Sequence, residues 1–282
     1  MTDTLPPAPA PPSGALPGLD GPRATPLPPP PDRSAEVAGG DVAAAFDGAA
    51  PRYDLMVALN PGYHRHLLSA ATALAEQVPG PEPDSTAVRV VDLGCGSGAS
   101  TRALLAALGG DRRVEITGVD ASAGMLAVAR DKSWPAGVRF CHGRAEDLTR
   151  HRDGWGLRRR VDGVLAAYLF RNVASRDDVL AGVRDVLRPG GVLVVQEYSV
   201  AGSRGAALIW TLVCWLVVIP LSWLTSRETA LYRYLWSSVL RFDAVTTFTD
   251  RLWRAGFTDV EVRTVPGWQR GILHTFRARV PS

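Results

Sequence analysis

The chain has 282 residues, 46% of them hydrophobic and 21% charged, with a net charge of +3 and an isoelectric point near 9.0. That size suffices for one α/β core and little more. The charge is too small for a nucleic-acid stripe, and Arg150-His151-Arg152 with Arg158-Arg159-Arg160 reads as a solvated loop. Three scattered cysteines (Cys95, Cys141, Cys214) match neither a disulfide framework nor a zinc site and agree with a reducing cytoplasm. The five histidines show no ligand spacing, so no metal is expected.

In chain order, 12 of the 22 prolines precede residue 32, and residues 1–38 hold too few aromatic and β-branched side chains to offset their ordering entropy. A disordered tail over 1–38 is expected. It lacks the continuous apolar core of a signal peptide, which argues against export. Residues 42–46 and 53–68 read as capping helices, interrupted near Pro61-Gly62.

A regular alternation follows, in which residues 89–93 (Arg-Val-Val-Asp-Leu) read as a strand buried on both faces and 100–108 as the helix after it. Between them lies Asp92-x-Gly94-x-Gly96-Ser97-Gly98. A dinucleotide fingerprint places its third glycine where a pyrophosphate meets the helix amides. Here an acid ends the strand, which disfavours an anion and favours a cationic amino-acid nucleoside. S-adenosyl-L-methionine, with its ammonium and sulfonium, is such a ligand, and Gly94, Gly96 and Ser97 would cradle it. The next strand, 115–119, runs into Asp120 and Ala121, where a carboxylate can accept from both ribose hydroxyls.

Further strands are expected at 138–142, 161–166 and 192–197, with helices at 122–130 and 177–187 and a short turn near Glu146. Arg188-Pro189-Gly190-Gly191 reads as the end of that helix and the opening of the fifth strand, with glycine for a left-handed cap. A helix over 247–255 and closing strands at 259–265 and 272–280 complete seven strands. The fold class is α/β, a doubly wound and mostly parallel seven-stranded sheet with an N-terminal helical cap. One domain, 39–282, carries it, with an apolar insertion at 203–240.

Residues 205–226 hold no charge, and Ile209, Trp210, Leu212, Val213, residues 215–219, Leu221, Trp223 and Leu224 make them long and apolar enough to cross a bilayer. A single span would put parts of one sheet on opposite sides of the membrane, and Pro220 interrupts the helix. A monotopic hairpin or interfacial lid is therefore expected, with a buried lid helix as the alternative. Either reading implies a lipophilic small-molecule substrate, and the first implies association with the inner face of the cell membrane.

Phe46, Tyr53-Asp54-Leu55-Met56 and His64, then Phe170-Arg171-Asn172-Val173, then Val186-Leu187-Arg188-Pro189-Gly190-Gly191-Val192-Leu193 with Glu197-Tyr198-Ser199, occur in an order that resembles a known family. Tyr232-Arg233-Tyr234-Leu235, Ala255-Gly256-Phe257 and Gly271-Ile272-Leu273-His274 extend the match. The chain is similar to class I S-adenosylmethionine methyltransferases, and more narrowly to the C-methyltransferases of menaquinone and ubiquinone biosynthesis. It departs from them at Val57, Leu67 and Arg188. The resemblance implies cofactor contacts at Thr101, Asp120, Arg144, Ala145 and Ala167. Arg144 and Ala167 replace an asparagine and a serine, so Glu146 or Asp147 stands as an alternative partner for the adenine amine, or as a solvated loop.

Methyl transfer to a ring carbon needs that carbon in line with the methyl and an ionised neighbouring hydroxyl, whose formation from a phenol at neutral pH costs about 4 kcal/mol. Arg171, beyond the fourth strand, suits a phenolate, and His274 suits a general base. Tyr168, Tyr198 and Tyr232 can orient a ring. The expected activity is C-methylation of a demethylmenaquinol-type lipid. Methylation of another apolar acceptor (a polyketide, phenolic or sterol-like lipid) and a non-catalytic scaffold subunit remain as alternatives. A homo-oligomer is compatible with the sequence.

Overall fold

The computed structural model describes residues 62–80, 86–110, 113–158, 160–226 and 230–282, together with Ala43, Phe46, Asp47 and Ala50. All belong to the unit Arg33–Ser282, and the expected tail over 1–38 lies outside the described residues. Helix α1 is Tyr63–Ala75; β1 (Ala87–Leu93), α2 (Ala99–Leu108), β2 (Arg113–Asp120), α3 (Ala123–Arg130) and β3 (Val138–His142) follow. A one-turn helix, α4 (Leu148–His151), leads to β4 (Val161–Ala167), α5 (Arg176–Val186) and β5 (Leu187–Tyr198). The chain then forms α6 (Arg204–Val213), a π-helical turn at Cys214–Val218, α7 (Ile219–Ser226), α8 (Ala230–Arg241), α9 (Val245–Arg254), β6 (Thr258–Thr264) and β7 (Leu273–Arg279).

The seven strands order as β3-β2-β1-β4-β5-β7-β6, and only β7 runs antiparallel to its neighbours. Strands fed by crossover helices must be parallel, whereas the short β6–β7 link forces a hairpin. Alternation along β1 sends Val91 and Leu93 to one core layer and Val88 and Val90 to the other. The first layer includes Phe170, Phe248 and Phe276, and the second is closed by α1 and α2. The order reverses direction between β1 and β4, so a crevice opens at their carboxyl ends.

Four expectations change. The helix predicted at 53–68 is described only from Tyr63 and runs on to Ala75, because Ala70, Ala71 and Leu74 are fully buried against the sheet. Gly163 admits that close approach, since a Cβ there would meet Val78 Cγ2 at 2.8 Å and Leu74 Cδ1 at 3.1 Å. The Arg-Pro-Gly-Gly segment opens the fifth strand as expected but does not cap the helix: α5 ends at Val186, and these residues already belong to β5, with Gly190 at φ 73° beside a register break against β4. Arg188 holds it there through Asp162, which is 1% exposed, at 2.5 Å.

Residues 204–226 form one continuous helix rather than a hairpin. The π turn absorbs Pro220: the amide of Ile219 bonds to the Cys214 carbonyl, and the wider turn places the proline where a missing N–H breaks no α ladder. Nor is this helix a buried lid, as only 22% of its most apolar window is buried.

Candidate functional site

The loop after β1 is built by three glycines in left-handed conformations, Gly94 (φ 77°), Gly96 (φ 54°) and Gly98 (φ 90°). Gly98 also caps α2, and a Cβ on it would lie 2.8 Å from Trp134 Cζ2. Trp134 has little freedom to yield: its indole donates to the Ala129 carbonyl at 2.7 Å and stacks under the Arg102 guanidinium at 4.6 Å. Gly98→Ala is therefore expected to cost about 2 kcal/mol, read as a shift in the urea midpoint with unchanged slope. A midpoint equal to that of the wild type would show the left-handed cap to be unnecessary.

Asp120, at the end of β2, accepts from the Gly96 amide through Oδ2 and from the Ser122 amide through Oδ1, both at 2.8 Å. Burial raises its pKa, and these amide bonds oppose the rise. Each oxygen keeps a second lone pair, so the carboxylate can still accept from a diol. Ser122 caps α3, and Asp47 from the N-terminal segment bonds to both Ser122 Oγ and the Gly124 amide, at 2.8 Å for the latter. That clamp sets Ala43 and Phe46 against the cleft.

The cleft is lined by Gly94, Gly96, Ser97, Asp120, Ala121, Arg144, Ala145, Ala167, Tyr168 and Arg171, all expected from the sequence. It is also lined by residues that were not singled out as contacts: Phe46, Tyr63, Met125, Leu169, Asn172 and Val173. Asn172 stood in a recognised motif, but Met125 and Tyr63 carry no local signal and reach the cleft only because α3 and α1 pack beside the loop. Glu146 lines it too, and its Oε1 accepts from the Ala174 amide at 2.9 Å and lies 3.6 Å from Arg144.

Three expected site residues lie elsewhere. Asp92 is fully buried beneath the glycine loop, where its Oδ2 accepts from Ser100 Oγ at 2.8 Å and Thr101 Oγ1 at 2.5 Å. Thr101 is thereby committed to Asp92 instead of lining the cleft. His274 sits on β7 opposite Glu197 in register and does not line the cleft; burial lowers its pKa, and Nε2 has no hydrogen-bond partner. An antiparallel neighbour of β5 is set back from the crevice between β1 and β4, which is why a motif match alone misplaced it.

The far wall is aromatic and charged. Tyr168 occupies φ 60°, rare for a bulky residue, and stacks between Tyr63 (5.5 Å) and Tyr198 (5.2 Å). Its buried hydroxyl has no hydrogen-bond partner, and burial drives its pKa well above the ordinary tyrosine value. The Arg171 guanidinium lies 5.6 Å from the Tyr168 ring and pairs with the fully buried Glu197. Burial pushes the Glu197 carboxyl above the usual range, and the adjacent guanidinium opposes that shift. Tyr234 of α8 donates to Asn172 Oδ1 at 3.2 Å, and Asn172 Nδ2 donates to the Tyr168 carbonyl at 3.1 Å. Glu197 and Tyr234 were quoted in motifs but given no role.

A doubly wound sheet, a glycine loop at its switch point and an acid at the end of each of the first two strands define a class I S-adenosylmethionine-dependent methyltransferase. The chain belongs to the ubiE/COQ5 methyltransferase family, whose model matches residues 34–275. Relatives include the ubiquinone/menaquinone biosynthesis C-methyltransferase UbiE of Syntrophotalea carbinolica, 32% identical over 81% of this chain and 91% of that one. The protein of the same description from Stutzerimonas stutzeri is 29% identical over 85% and 89%. Among solved structures, the plantazolicin methyltransferase BamL shares the fold at TM-score 0.59 and 12% identity, over 86% of this chain and 97% of that one. Haemonchus contortus phosphoethanolamine N-methyltransferase 2 does so at TM-score 0.55 and 16% identity, over 84% and 57%.

The residues present fit the cofactor of this class. Asp92 Oδ1 is a buried carboxylate oxygen without a hydrogen-bond partner, and burial raises that carboxyl to about 6. A cation bound nearby would relieve that cost.

Proposed function

We propose that the protein methylates a ring carbon of a lipophilic quinol of the demethylmenaquinol type, in quinone biosynthesis, at the cytoplasmic face of the cell membrane. The supporting observation is that one cleft holds both the Asp120–glycine cradle and the Tyr168–Arg171–Asn172 wall. The related chains described as quinone C-methyltransferases support the same reading.

S-adenosylmethionine, when bound, supplies an electrophilic methyl. Gly94, Gly96 and Ser97 would take its amino-acid portion, Asp120 with Ala121 its ribose, and Ala145, Arg144 and Ala167 the region of its adenine. Tyr63 and Tyr168, stacked on one another, form the aromatic wall along which a flat acceptor lies. Arg171 holds the acceptor oxygen as its proton passes to solvent, and about 4 kcal/mol is recovered by stabilising that anion. The ring carbon's electron pair would take up the methyl that the bound donor supplies, with the C–S bonding pair remaining on the donor's sulfur. Loss of the proton on the methylated carbon restores the aromatic ring as the oxygen takes up a proton, so one proton is released overall. His274, set back on β7, is given no step here; its neutral imidazole is assigned to packing.

The deciding experiment supplies chemically reduced demethylmenaquinol and labelled methyl donor under anaerobic conditions. A lipid product heavier by one methyl, with the label on carbon, is the expected result. Methylation of other phenols or lipids with the quinol untouched would assign a different acceptor.

Cofactor affinity should also depend on pH through Asp92. Its carboxyl is raised to about 6 from 3.8 when folded. Between those values the folded state therefore holds a proton that the unfolded chain has released. This contribution to stability falls by about 3 kcal/mol as pH rises through the window, and the penalty remains at neutral pH. A cation favours the ionised form, so donor affinity should rise about tenfold from pH 5 to 7 by calorimetry. Asp92→Asn should flatten that rise; an equally steep profile in the variant assigns it to another group.

A further inference from the structure

The helix formed by α6, the π turn and α7 carries two stripes. Ala206, Trp210, Cys214 and Ser222 face inward and are buried. Leu208, Ile209, Leu212, Trp215, Leu216, Val217 and Trp223 are exposed by 44–71%. Exposed apolar side chains in one contiguous run over more than four turns are costly in water and mark a contact surface. The inward stripe is fixed: Trp210 packs at a tilt on Tyr198 at 4.9 Å and donates to the Trp236 carbonyl at 3.3 Å, while Trp236 donates to Thr211 Oγ1 at 3.2 Å. The outward stripe is therefore held in place by the domain rather than by its own flexibility.

Charge selects the occupant. Between Tyr198 and Asp243 the sequence holds four arginines (Arg204, Arg227, Arg233, Arg241) against one acid, Glu228. Arg204 begins the helix, and Arg233 lies 5.8 Å from the Trp215 ring beside the exposed stripe. Trp268 and Arg270, both exposed, flank Gln269, whose amide approaches the Tyr198 hydroxyl at 3.4 Å in the same cluster. Apolar side chains, tryptophans and arginines without matching acids are the composition of a surface that sits in anionic headgroups.

We propose that this helix is a docking surface for an anionic lipid leaflet, lying in the plane of the interface with its outward stripe among the upper acyl chains. It does not cross, although Arg204–Trp223 is long and apolar enough by composition. Its inner stripe packs on Tyr198 and Leu273, residues of two hydrogen-bonded strands of one sheet, so withdrawal into the hydrocarbon would strip the sheet of that cover. The same packing links membrane to cleft. Trp210 packs at a tilt on Tyr198 at 4.9 Å, and Tyr198, Tyr168 and Tyr63 stack in succession at 5.2 and 5.5 Å, from the inner face of the docking helix to the cleft wall. The cleft that takes an acceptor from the leaflet is thus joined to the docking helix by a continuous run of packed rings. This second element rests on the quinol reading above, whereas the docking itself does not.

The test uses the purified full chain and vesicles of phosphatidylcholine with and without phosphatidylglycerol. Binding should require the anionic lipid, weaken with salt, and fall at least about tenfold in Leu212→Asp/Leu216→Asp, whose positions are exposed and do not line the cleft. Donor affinity should be unchanged in that variant, as should turnover of a detergent-dispersed acceptor, while turnover of a vesicle-embedded acceptor falls. Trp fluorescence should be quenched most by lipids brominated near the headgroup. Wild-type vesicle binding by the double variant overturns the docking surface. So does a stable dimer of the native chain that the same variant dissociates, because the stripe would then be covered by a second copy. Maximal quenching from the bilayer centre overturns the in-plane geometry. Vesicle binding without methylation of any quinol sinks the acceptor and leaves the docking standing; quinol methylation without vesicle binding does the reverse.

Discussion

Glu197→Ala is expected to destabilise the protein by about 3–5 kcal/mol and lower the melting temperature by about 10 °C. Glu197 is fully buried at the carboxyl end of β5, and both of its oxygens are in use. Oε1 takes the Arg171 guanidinium and the Tyr198 amide at 2.9 Å, and Oε2 takes the Arg171 amide at 3.4 Å. Removing it leaves a guanidinium 8% exposed without its buried counterion, together with two backbone amides that lose this acceptor. Replacing both partners relieves the stranded charge, so Arg171→Leu/Glu197→Leu should be more stable than Glu197→Ala alone. The double-mutant cycle in urea measures this. A Glu197→Ala protein within 1 kcal/mol of the wild type, on the order of a surface change, would falsify the buried pair. Glu197→Gln, which preserves shape, should retain more stability but still mislay Arg171 and slow methyl transfer.

Asp120→Ala should weaken donor binding by at least about 100-fold. The carboxylate supports the cradle in two directions: it anchors the Gly96 and Ser122 amides, and it offers its remaining lone pairs to the ribose. Asp120→Asn separates these functions only partly, because an amide nitrogen would face one of the two backbone donors, and its affinity should also fall. Titration calorimetry reads both variants, with thermal melting as the control for folding. Retention of native affinity in Asp120→Ala would move the ribose contact elsewhere in the cleft.

Much of this was legible in the sequence, for a local reason. Strand periodicity depends only on which side chains face each core layer, so β3 falls at the expected 138–142 and β1, β2 and β4 within two residues of expectation. The glycine loop was readable because left-handed backbone at Gly94, Gly96 and Gly98 is a property of single residues. The extension of α1 to Ala75 was not legible: past Leu67 its buried face carries Ala70 and Ala71, which give little apolar signal, and the seat for Leu74 is made by Gly163 on a strand far along the chain. The Arg-Pro-Gly-Gly segment failed similarly, since a glycine at positive φ serves a helix cap or a strand irregularity equally well. Its choice was made by Arg188 reaching Asp162 on the neighbouring strand.

The sequence by itself determined the class of enzyme: its motifs occur in order, and each encodes a local conformation or a chemical group. Tertiary structure alone decided which groups meet. It turned Asp92 and Thr101 toward each other beneath the loop, paired Arg171 with Glu197, brought Tyr234 to Asn172, and kept His274 behind the crevice. It also turned one stripe of the uncharged helix outward. Such contacts join residues up to tens of positions apart. They depend on strand order and helix packing, which no local pattern records.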